Sequence, residues 1–302
     1  MFYLILAILC SSSIALIFKY TEGNNMNRYA VTTMNYFTAF IVCFIMLIIN
    51  KLEILSLSGN FYNEFVQVVL NGSGSFSKYG SLIWAILIGV FAGAFFFLSF
   101  IYYQKSVKKN GASLSGTFGK LGILIPMCMS IILWNEYPTS LQWVGIALSI
   151  ISIIIVNLSF DKNNLNGVNL TLILLFFFGG MAEFSNKIFQ KYSLIEYKDV
   201  FLFFVFFISF LISLYSTLRS KNKVISKDLF IGFLVGIPNL FSSFFLILAL
   251  NTVKTSVAFP LYSAASIILI SLGSFVIFKE KLRKKDITAM IITIIALMII
   301  NV

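Results

Sequence analysis

The chain has 302 residues, of which 59% are hydrophobic and only 11% are charged. Soluble globular domains carry about 25% charged residues, so a soluble core cannot bury this much hydrocarbon. The mean hydropathy is +0.97, and apolar runs of about twenty residues recur along the chain. These properties predict an integral membrane protein and exclude soluble nucleases and kinases and secreted scaffolds.

The net charge of +11 lies in short loops between the apolar runs. In a soluble protein such a charge would suggest nucleic-acid binding, but here it is better explained as a signal of membrane topology. We therefore expect the lipid bilayer and a small molecule as partners, with no nucleic acid. The sequence leaves the oligomeric state open.

The residue types that are absent or isolated limit the chemistry. The chain has no histidine, which excludes His-ligated metals, Ser-His-Asp sites and imidazole proton relays. Cys10, Cys43 and Cys128 lie singly in three apolar runs, without the CxxC spacing of redox or metal sites. No nucleotide-binding loop is present. The sequence thus predicts no catalytic residue, no metal and no cofactor.

Ten apolar runs are long enough to span about 30 Å of hydrocarbon. In chain order, these predicted spans are Phe2–Phe18, Ala30–Ile49, Ser81–Tyr103, Ala112–Trp134, Leu141–Leu158, Val168–Phe189, Val200–Leu218, Leu229–Leu250, Val257–Phe278 and Ile287–Ile300. Their residues are apolar on nearly every face, whereas strands of a membrane β-barrel alternate apolar and polar residues. The prediction is an all-α integral membrane protein with ten transmembrane helices.

Two further segments need separate interpretation. The first run lacks a basic region before it and an A-x-A-like cleavage site, so it is interpreted as a transmembrane helix and not as a signal peptide. The long connection between Lys51 and Gly80 carries Phe61, Phe65 and Val69 at helical spacing. We expect a short interfacial helix there, followed by a flexible linker.

The two halves of the chain are similar in their motifs. Like residues recur at an offset of 143 or 144 in four pairs: Gly89 and Gly232, Gly93 and Gly236, Glu136 and Glu280, Asn157 and Asn301. We therefore predict two five-helix repeats, residues 1–158 and 159–302. Because five is an odd number of spans, the second repeat inserts inverted, an arrangement typical of alternating access around a midplane site. A channel or a scaffold with the same symmetry remains an alternative.

Several motifs resemble those of a known family. They are Trp134-Asn-Glu136-Tyr-Pro138, the following Gln142-Trp-Val-Gly145, and Phe278-Lys-Glu280-Lys-Leu282. With them, the whole chain resembles the drug/metabolite transporter superfamily, in particular bacterial ten-helix members built from two EamA-type domains. This resemblance implies a multi-pass protein of the bacterial cell membrane that transports a small molecule. Members of the group move amino acids, drugs, nucleosides, sugars or choline, so the resemblance does not identify the substrate.

Two ionisable side chains lie well inside the apolar runs, where charges are costly and therefore functional candidates. Lys120 has no acid three or four residues away. It is either an anchor for an anionic or zwitterionic substrate, or a lysine that pairs with a distant carboxylate or extends to the interface. Glu183 is followed by Lys187 at i,i+4, which predicts a local ion pair. A proton-coupling role for Glu183 is the alternative, and its estimated depth places it too far from Lys120 for direct pairing.

Other polar residues inside the predicted spans complete the candidate binding site. Asn239 follows Pro238 near the middle of span 8, where proline frees a backbone carbonyl and asparagine adds a donor and an acceptor. Pro126 and Pro260 are expected to break spans 4 and 9. The remaining candidates for substrate binding are Tyr262, Asn35 and Ser13. Each is also explained by helix packing alone.

We interpret the chain as a secondary transporter and not as an enzyme. The competing hypotheses are an integral membrane enzyme or lipid-carrier processing protein, which would need clustered Asp, His or Cys, and a channel or receptor. The orientation is ambiguous. Fifteen of the 22 Lys and Arg residues lie on the side of the loop between spans 1 and 2, so the positive-inside rule places both termini outside. The family resemblance implies that both are inside.

Overall fold

A computed structural model describes residues 1–50, 59–110, 112–157, 170–220 and 222–279, together with 284, 287–288, 291–292, 295–296 and 299. Within these residues all regular structure is helical and no strand occurs. The helices are α1 (Phe2–Gly23), α2 (Arg28–Ile49), α3 (Phe61–Phe65), α4 (Lys78–Asn110), α5 (Ala112–Leu121), α6 (Leu124–Trp134), α7 (Ser140–Asn157), α8 (Leu170–Tyr192), α9 (Lys198–Arg219), α10 (Ser226–Leu250) and α11 (Thr255–Phe278).

Hydropathy placed the membrane helices well. Among the described residues, seven helices are long and apolar enough to cross a membrane: α1, α2, α4, α8, α9, α10 and α11. Each coincides with a predicted span. The expected short helix is present as α3, which continues as a turn of π-helix over Val66–Leu70. The predicted span Ile287–Ile300 lies largely outside the described residues, although Ile287 and Ile291 within it are helical.

The predicted span Ala112–Trp134 is two helices, because α5 ends at Leu121 and α6 begins at Leu124. Pro126 explains the break, since it has no N–H and its ring clashes with the carbonyl four residues earlier, which belongs to Gly122. The break expected at Pro260 is absent, and α11 continues through it. Pro260 lies only five residues after the first residue of α11, so the helix has little more than one preceding turn to accommodate the ring.

The connections identify the two ends of the bundle. At one end, which we call the Asn27 face, the Asn27 side chain caps α2 and donates hydrogen bonds to the carbonyls of Asn222 and Lys223, just before α10. At the other end, the Tyr192 face, the carbonyl of Tyr192 accepts from the Phe76 N–H before α4. Successive membrane helices therefore run in alternate directions between the two faces.

Glycines allow the central helices to approach closely. α10 packs on α2 at Gly232 and Gly236, and α4 packs on α9 at Gly89 and Gly93. A Cβ atom on Gly236 would lie 2.6 Å from the carbonyl oxygen of Asn35, so only glycine fits without movement of the helices. Outside this centre, α1 packs on α10 and α11, and α8 packs on α4, α5 and α6. These outer helices enclose the site described next.

Candidate functional site

A cavity of about 120 Å³ lies between α1, α4, α5, α8, α10 and α11, near the middle of the bundle. Its lining includes four of the six site residues predicted from the sequence: Lys120, Glu183, Asn239 and Tyr262. These residues come from four different helices, so only the folded bundle brings them together. Hydropathy and residue type identified them individually, but nothing in the linear sequence placed them in one cavity.

Lys120 occupies the last turn of α5, immediately before the helix break. A cation is favourable there because the carbonyls at a helix C-terminus carry partial negative charge. The carbonyl of Lys120 itself accepts a hydrogen bond from Ser263 of α11 at 3.1 Å. The ammonium donates to the Ser11 hydroxyl at 2.6 Å and lies 3.9 Å from the centroid of the Tyr262 ring. Both contacts position the charge on the cavity wall.

The carboxylate of Glu183 accepts a hydrogen bond from the Asn186 amide at 3.1 Å. The predicted local ion pair between Glu183 and Lys187 is wrong, because Lys187 pairs with Glu136 at 3.1 Å. Lys187 lies one helical turn beyond Glu183 towards the Tyr192 face, where α6 ends and Glu136 follows it. The i,i+4 spacing suggested Glu183 as the partner of Lys187, but the packing of α8 against the end of α6 brings Glu136 to Lys187 instead.

Glu183 and Lys120 share the cavity even though their estimated depths suggested a separation. That estimate counted residues from the start of each predicted span, whereas the contact between Gly122 and Gly180 sets the relative height of α5 and α8. At this contact the backbones touch: a Cβ atom on Gly122 would lie 2.7 Å from the backbone nitrogen of Gly180. No ion pair within 4.0 Å joins Lys120 to Glu183, or either of them to another described residue.

Asn239 and Tyr262 complete the polar wall. Asn239 is 3% exposed, and its amide donates to the side chain of Asn35 at 3.1 Å. Asn35 is fully buried on α2 and supports Asn239 from behind without itself lining the cavity. The hydroxyls of Tyr262 and Ser242 are 3.0 Å apart and share a hydrogen bond.

The serines of α1 divide between two environments. Ser13 is exposed and donates to the carbonyl of Leu9 at 2.9 Å, so it lies apart from the cavity. Ser11 lines the cavity and contacts Lys120. A helical pattern in the sequence distinguishes the two, because Ser11, Ala15 and Phe18 recur at spacings of four and three and share one face. That face is the one α1 presents to the cavity.

Sequence reasoning missed other polar groups on the wall. Ser99 and Tyr103 of α4 line the cavity, as do Ser242 and Ser243 of α10. The Tyr103 hydroxyl is buried and has no hydrogen-bond partner among the described residues. Buried hydroxyl groups are normally hydrogen-bonded, so this one offers a free donor or acceptor at the cavity.

The two ends of the cavity differ. Towards the Asn27 face its wall is aromatic, with Phe18 packed edge-on against Phe100 at 5.1 Å between ring centroids. Towards the Tyr192 face lies an apolar layer of buried residues that includes Leu4, Leu246 and Phe259. The ion pair between Glu136 and Lys187 lies beyond this layer, at the edge of a surface depression of about 490 Å³.

Comparisons with known proteins agree with this architecture. Residues 1–158 match the family model described as the EamA-like transporter family, and residues 198–295 match that of the Small Multidrug Resistance protein. A solved structure titled "Crystal structure of protein" is similar, with a TM-score of 0.68 and 12% sequence identity, over 99% of this chain and 94% of that chain. At this identity the likeness concerns the fold alone. No curated protein matches significantly.

Proposed function

The chain belongs to the EamA-like transporter family, and we propose that it is a secondary transporter that moves a small metabolite or drug across a cell membrane by alternating access. The observation that carries this proposal is the cavity at the middle of the bundle, which holds Lys120 and Glu183. Ionisable groups inside a membrane are costly and typically mark a substrate or ion pathway. Polar and charged residues that lie together beside a broken helix are typical of transporter binding sites.

Alternating access also requires two halves that can exchange conformations, and we propose that residues 1–158 and 159–302 are inverted repeats. The glycine contacts support this proposal. A Cβ atom on Gly89 would contact the Phe201 carbonyl of α9, and one on Gly232 would contact the Val31 carbonyl of α2. One turn later, Gly93 faces Val205 and Gly236 faces Asn35 in the same way, at 2.8 and 2.6 Å. Both glycine pairs are thus in the same register against their partner helices.

The most extensive of the other helix contacts follow the same exchange. If α1, α2, α4 and α5–α6 correspond to α8, α9, α10 and α11, these contacts occur in matching pairs. α1 packs on α10 as α8 packs on α4, and α2 packs on α10 as α9 packs on α4. The exchange turns the contact of α2 with α9 into the contact of α9 with α2, so this contact is its own counterpart. An arrangement with this symmetry can in principle adopt a second state in which the roles of the two halves are reversed.

In the described state, we infer that the path to the Tyr192 face is closed. The apolar layer of Leu4, Leu246 and Phe259 excludes water and ions, and the ion pair between Glu136 and Lys187 joins the two proposed repeats above it. Opening towards this face would then need both the layer and the ion pair to separate. The cavity would be exposed to only one side of the membrane at a time.

The test is uptake into liposomes that contain the purified full-length chain. A panel of radiolabelled amino acids, nucleosides, sugars and quaternary amines is offered with and without an imposed proton gradient. A transporter gives saturable uptake and counterflow, in which preloaded unlabelled substrate accelerates entry of label. Non-saturable flux without counterflow would indicate a channel. The absence of any flux, together with chemical change of an added compound, would indicate an enzyme.

A further inference from the structure

We propose that the cavity binds a small zwitterion, with its anionic group at Lys120 and its cationic group at Glu183. This inference deepens the proposed function by naming the chemical class of the substrate, and it rests on that function only in treating the bound molecule as the one transported. The binding claim itself follows from the geometry of the cavity.

The residues that the structure describes leave the ammonium of Lys120 incompletely satisfied. It has three N–H donors, one of which is directed to the Ser11 hydroxyl at 2.6 Å. Its other close neighbour is the face of the Tyr262 ring. Both partners are neutral, and no described carboxylate lies within 4.0 Å. A charge inside the bundle that forms no close ion pair is costly, so an anionic ligand group would complete this end of the site.

The carboxylate of Glu183 is in the complementary situation. Its two oxygens accept about four hydrogen bonds, and the described residues supply one, from the Asn186 amide. The neighbouring cation on the same helix, Lys187, is committed to Glu136 at 3.1 Å. A cationic ligand group with N–H donors would therefore gain both charge pairing and hydrogen bonds at Glu183.

Lys120 and Glu183 line one cavity without forming a close ion pair with each other. The site should therefore bind a zwitterion more tightly than a ligand with one charge. A ligand with a single charge satisfies one side chain and leaves the other without a close opposite charge, which costs binding energy. A ligand with both charges satisfies both at once. Ser99, Ser242 and the unpartnered hydroxyl of Tyr103 provide further hydrogen bonds. The cavity volume of about 120 Å³ favours a small molecule.

The experiment compares ligands that differ only in their charged groups. The panel contains small α- and γ-amino acids, each with its decarboxylated amine and its deaminated acid; for leucine these are 3-methylbutylamine and 4-methylpentanoate. Binding to the purified full-length chain in nanodiscs is measured by thermal shift and calorimetry. At least one zwitterion should bind about tenfold to a hundredfold more tightly than both of its analogues, the range expected for one charged hydrogen bond.

Two variants then assign the charges. Lys120→Met should remove the preference for a carboxylate, so that the zwitterion binds no better than its amine analogue. Glu183→Gln should remove the preference for the ammonium, so that the zwitterion binds no better than its acid analogue. Lys254→Met is the control, because Lys254 lies at the Tyr192 face outside the cavity lining. It should leave all affinities unchanged.

The outcomes separate this inference from the proposed function. If no zwitterion binds, or if the preferences persist in both variants, the zwitterion site is wrong. Saturable transport of a neutral or singly charged compound in that case would leave the transporter function intact. If zwitterions bind with the expected variant pattern but never cross the membrane, the site stands and the transport function is wrong.

Discussion

The ammonium of Lys187 lies 3.1 Å from the carboxylate of Glu136, so an ion pair joins the junction between α6 and α7 to α8. Lys191 adds a second cation at 3.7 Å from the same oxygen of Glu136. Both lysines also lie over the ring of Trp134, whose N–H donates to the Tyr192 hydroxyl at 2.8 Å. Lys187 is only 4% exposed, so the pair is shielded from the solvent screening that weakens surface salt bridges.

The first prediction is that Glu136→Gln favours opening towards the Tyr192 face. Loss of a partly buried ion pair removes on the order of 1 kcal/mol or more, enough to raise an open population roughly fivefold. In a background without native cysteines, Leu246→Cys reports the opening, because Leu246 is 1% exposed within the apolar layer. Its alkylation by a hydrophilic maleimide should become several-fold faster.

Glu22→Gln is the matched control for this experiment. Glu22 forms an ion pair of 2.9 Å with Arg28 at the Asn27 face, so its loss should not accelerate alkylation of the cysteine at position 246. Equal rates in the Glu136→Gln variant and the parent would show that the ion pair does not restrain the Tyr192 face.

The second prediction separates two serines of α1. Ser11→Ala removes the hydrogen bond that the Lys120 ammonium makes with a described residue and should weaken binding of the transported ligand about tenfold, the lower end expected for a hydrogen bond to a charged group. Ser13→Ala should have no effect, because the exposed Ser13 hydroxyl donates to the Leu9 carbonyl of its own helix and lies outside the cavity lining. Affinity is measured by calorimetry with the best ligand of the uptake panel. Weaker binding in Ser13→Ala, with unchanged binding in Ser11→Ala, would show that Ser13 and not Ser11 contributes to the site.

These serines show what the sequence was able to predict and what it was not. Hydropathy located the membrane helices because lipid imposes a length and an apolar composition on each one. The chemistry of proline located the break at Pro126. The hydrogen-bond and ion-pair partners of individual polar groups could not be predicted in this way, because they depend on helix rotation and on contacts between distant segments. The sequence therefore identified Lys120 and Glu183 as costly charges, but neither the Ser11 contact nor the pairing of Lys187 with Glu136.

The third prediction concerns the close helix contacts. Alanine at Gly93 or Gly236 places a Cβ atom within 2.8 Å of a backbone carbonyl of the facing helix, and overpacking of this kind costs about 1–3 kcal/mol. Both variants should unfold at lower temperature. If the halves move along these contacts, transport should slow more than binding weakens. Gly23→Ala is the control, since a Cβ atom there meets nothing within 4 Å.

The fourth prediction is the orientation in the membrane. Most of the described Lys and Arg residues lie towards the Asn27 face, so the positive-inside rule places that face in the cytoplasm and the N-terminus, at the opposite end of α1, outside. In a background without native cysteines, a cysteine in place of Ser220 should react with an impermeant maleimide only after the cells are permeabilised. Labelling in intact cells would give the opposite orientation, the one implied by the family resemblance.

The last prediction contrasts two lysines inside the bundle. Lys120→Met removes a charge whose burial costs about 2.5–3.5 kcal/mol at a membrane midplane, and among the described residues it loses the contacts with Ser11 and the Tyr262 ring. Its thermal stability should stay equal or rise, while transport falls. Lys187→Met leaves Glu136 without its closest cation and should lower stability. Thermal denaturation and uptake of the same preparations provide the comparison. If Lys120→Met fails to fold while Lys187→Met is stable, Lys120 has a structural role and its charge does not serve to bind a ligand.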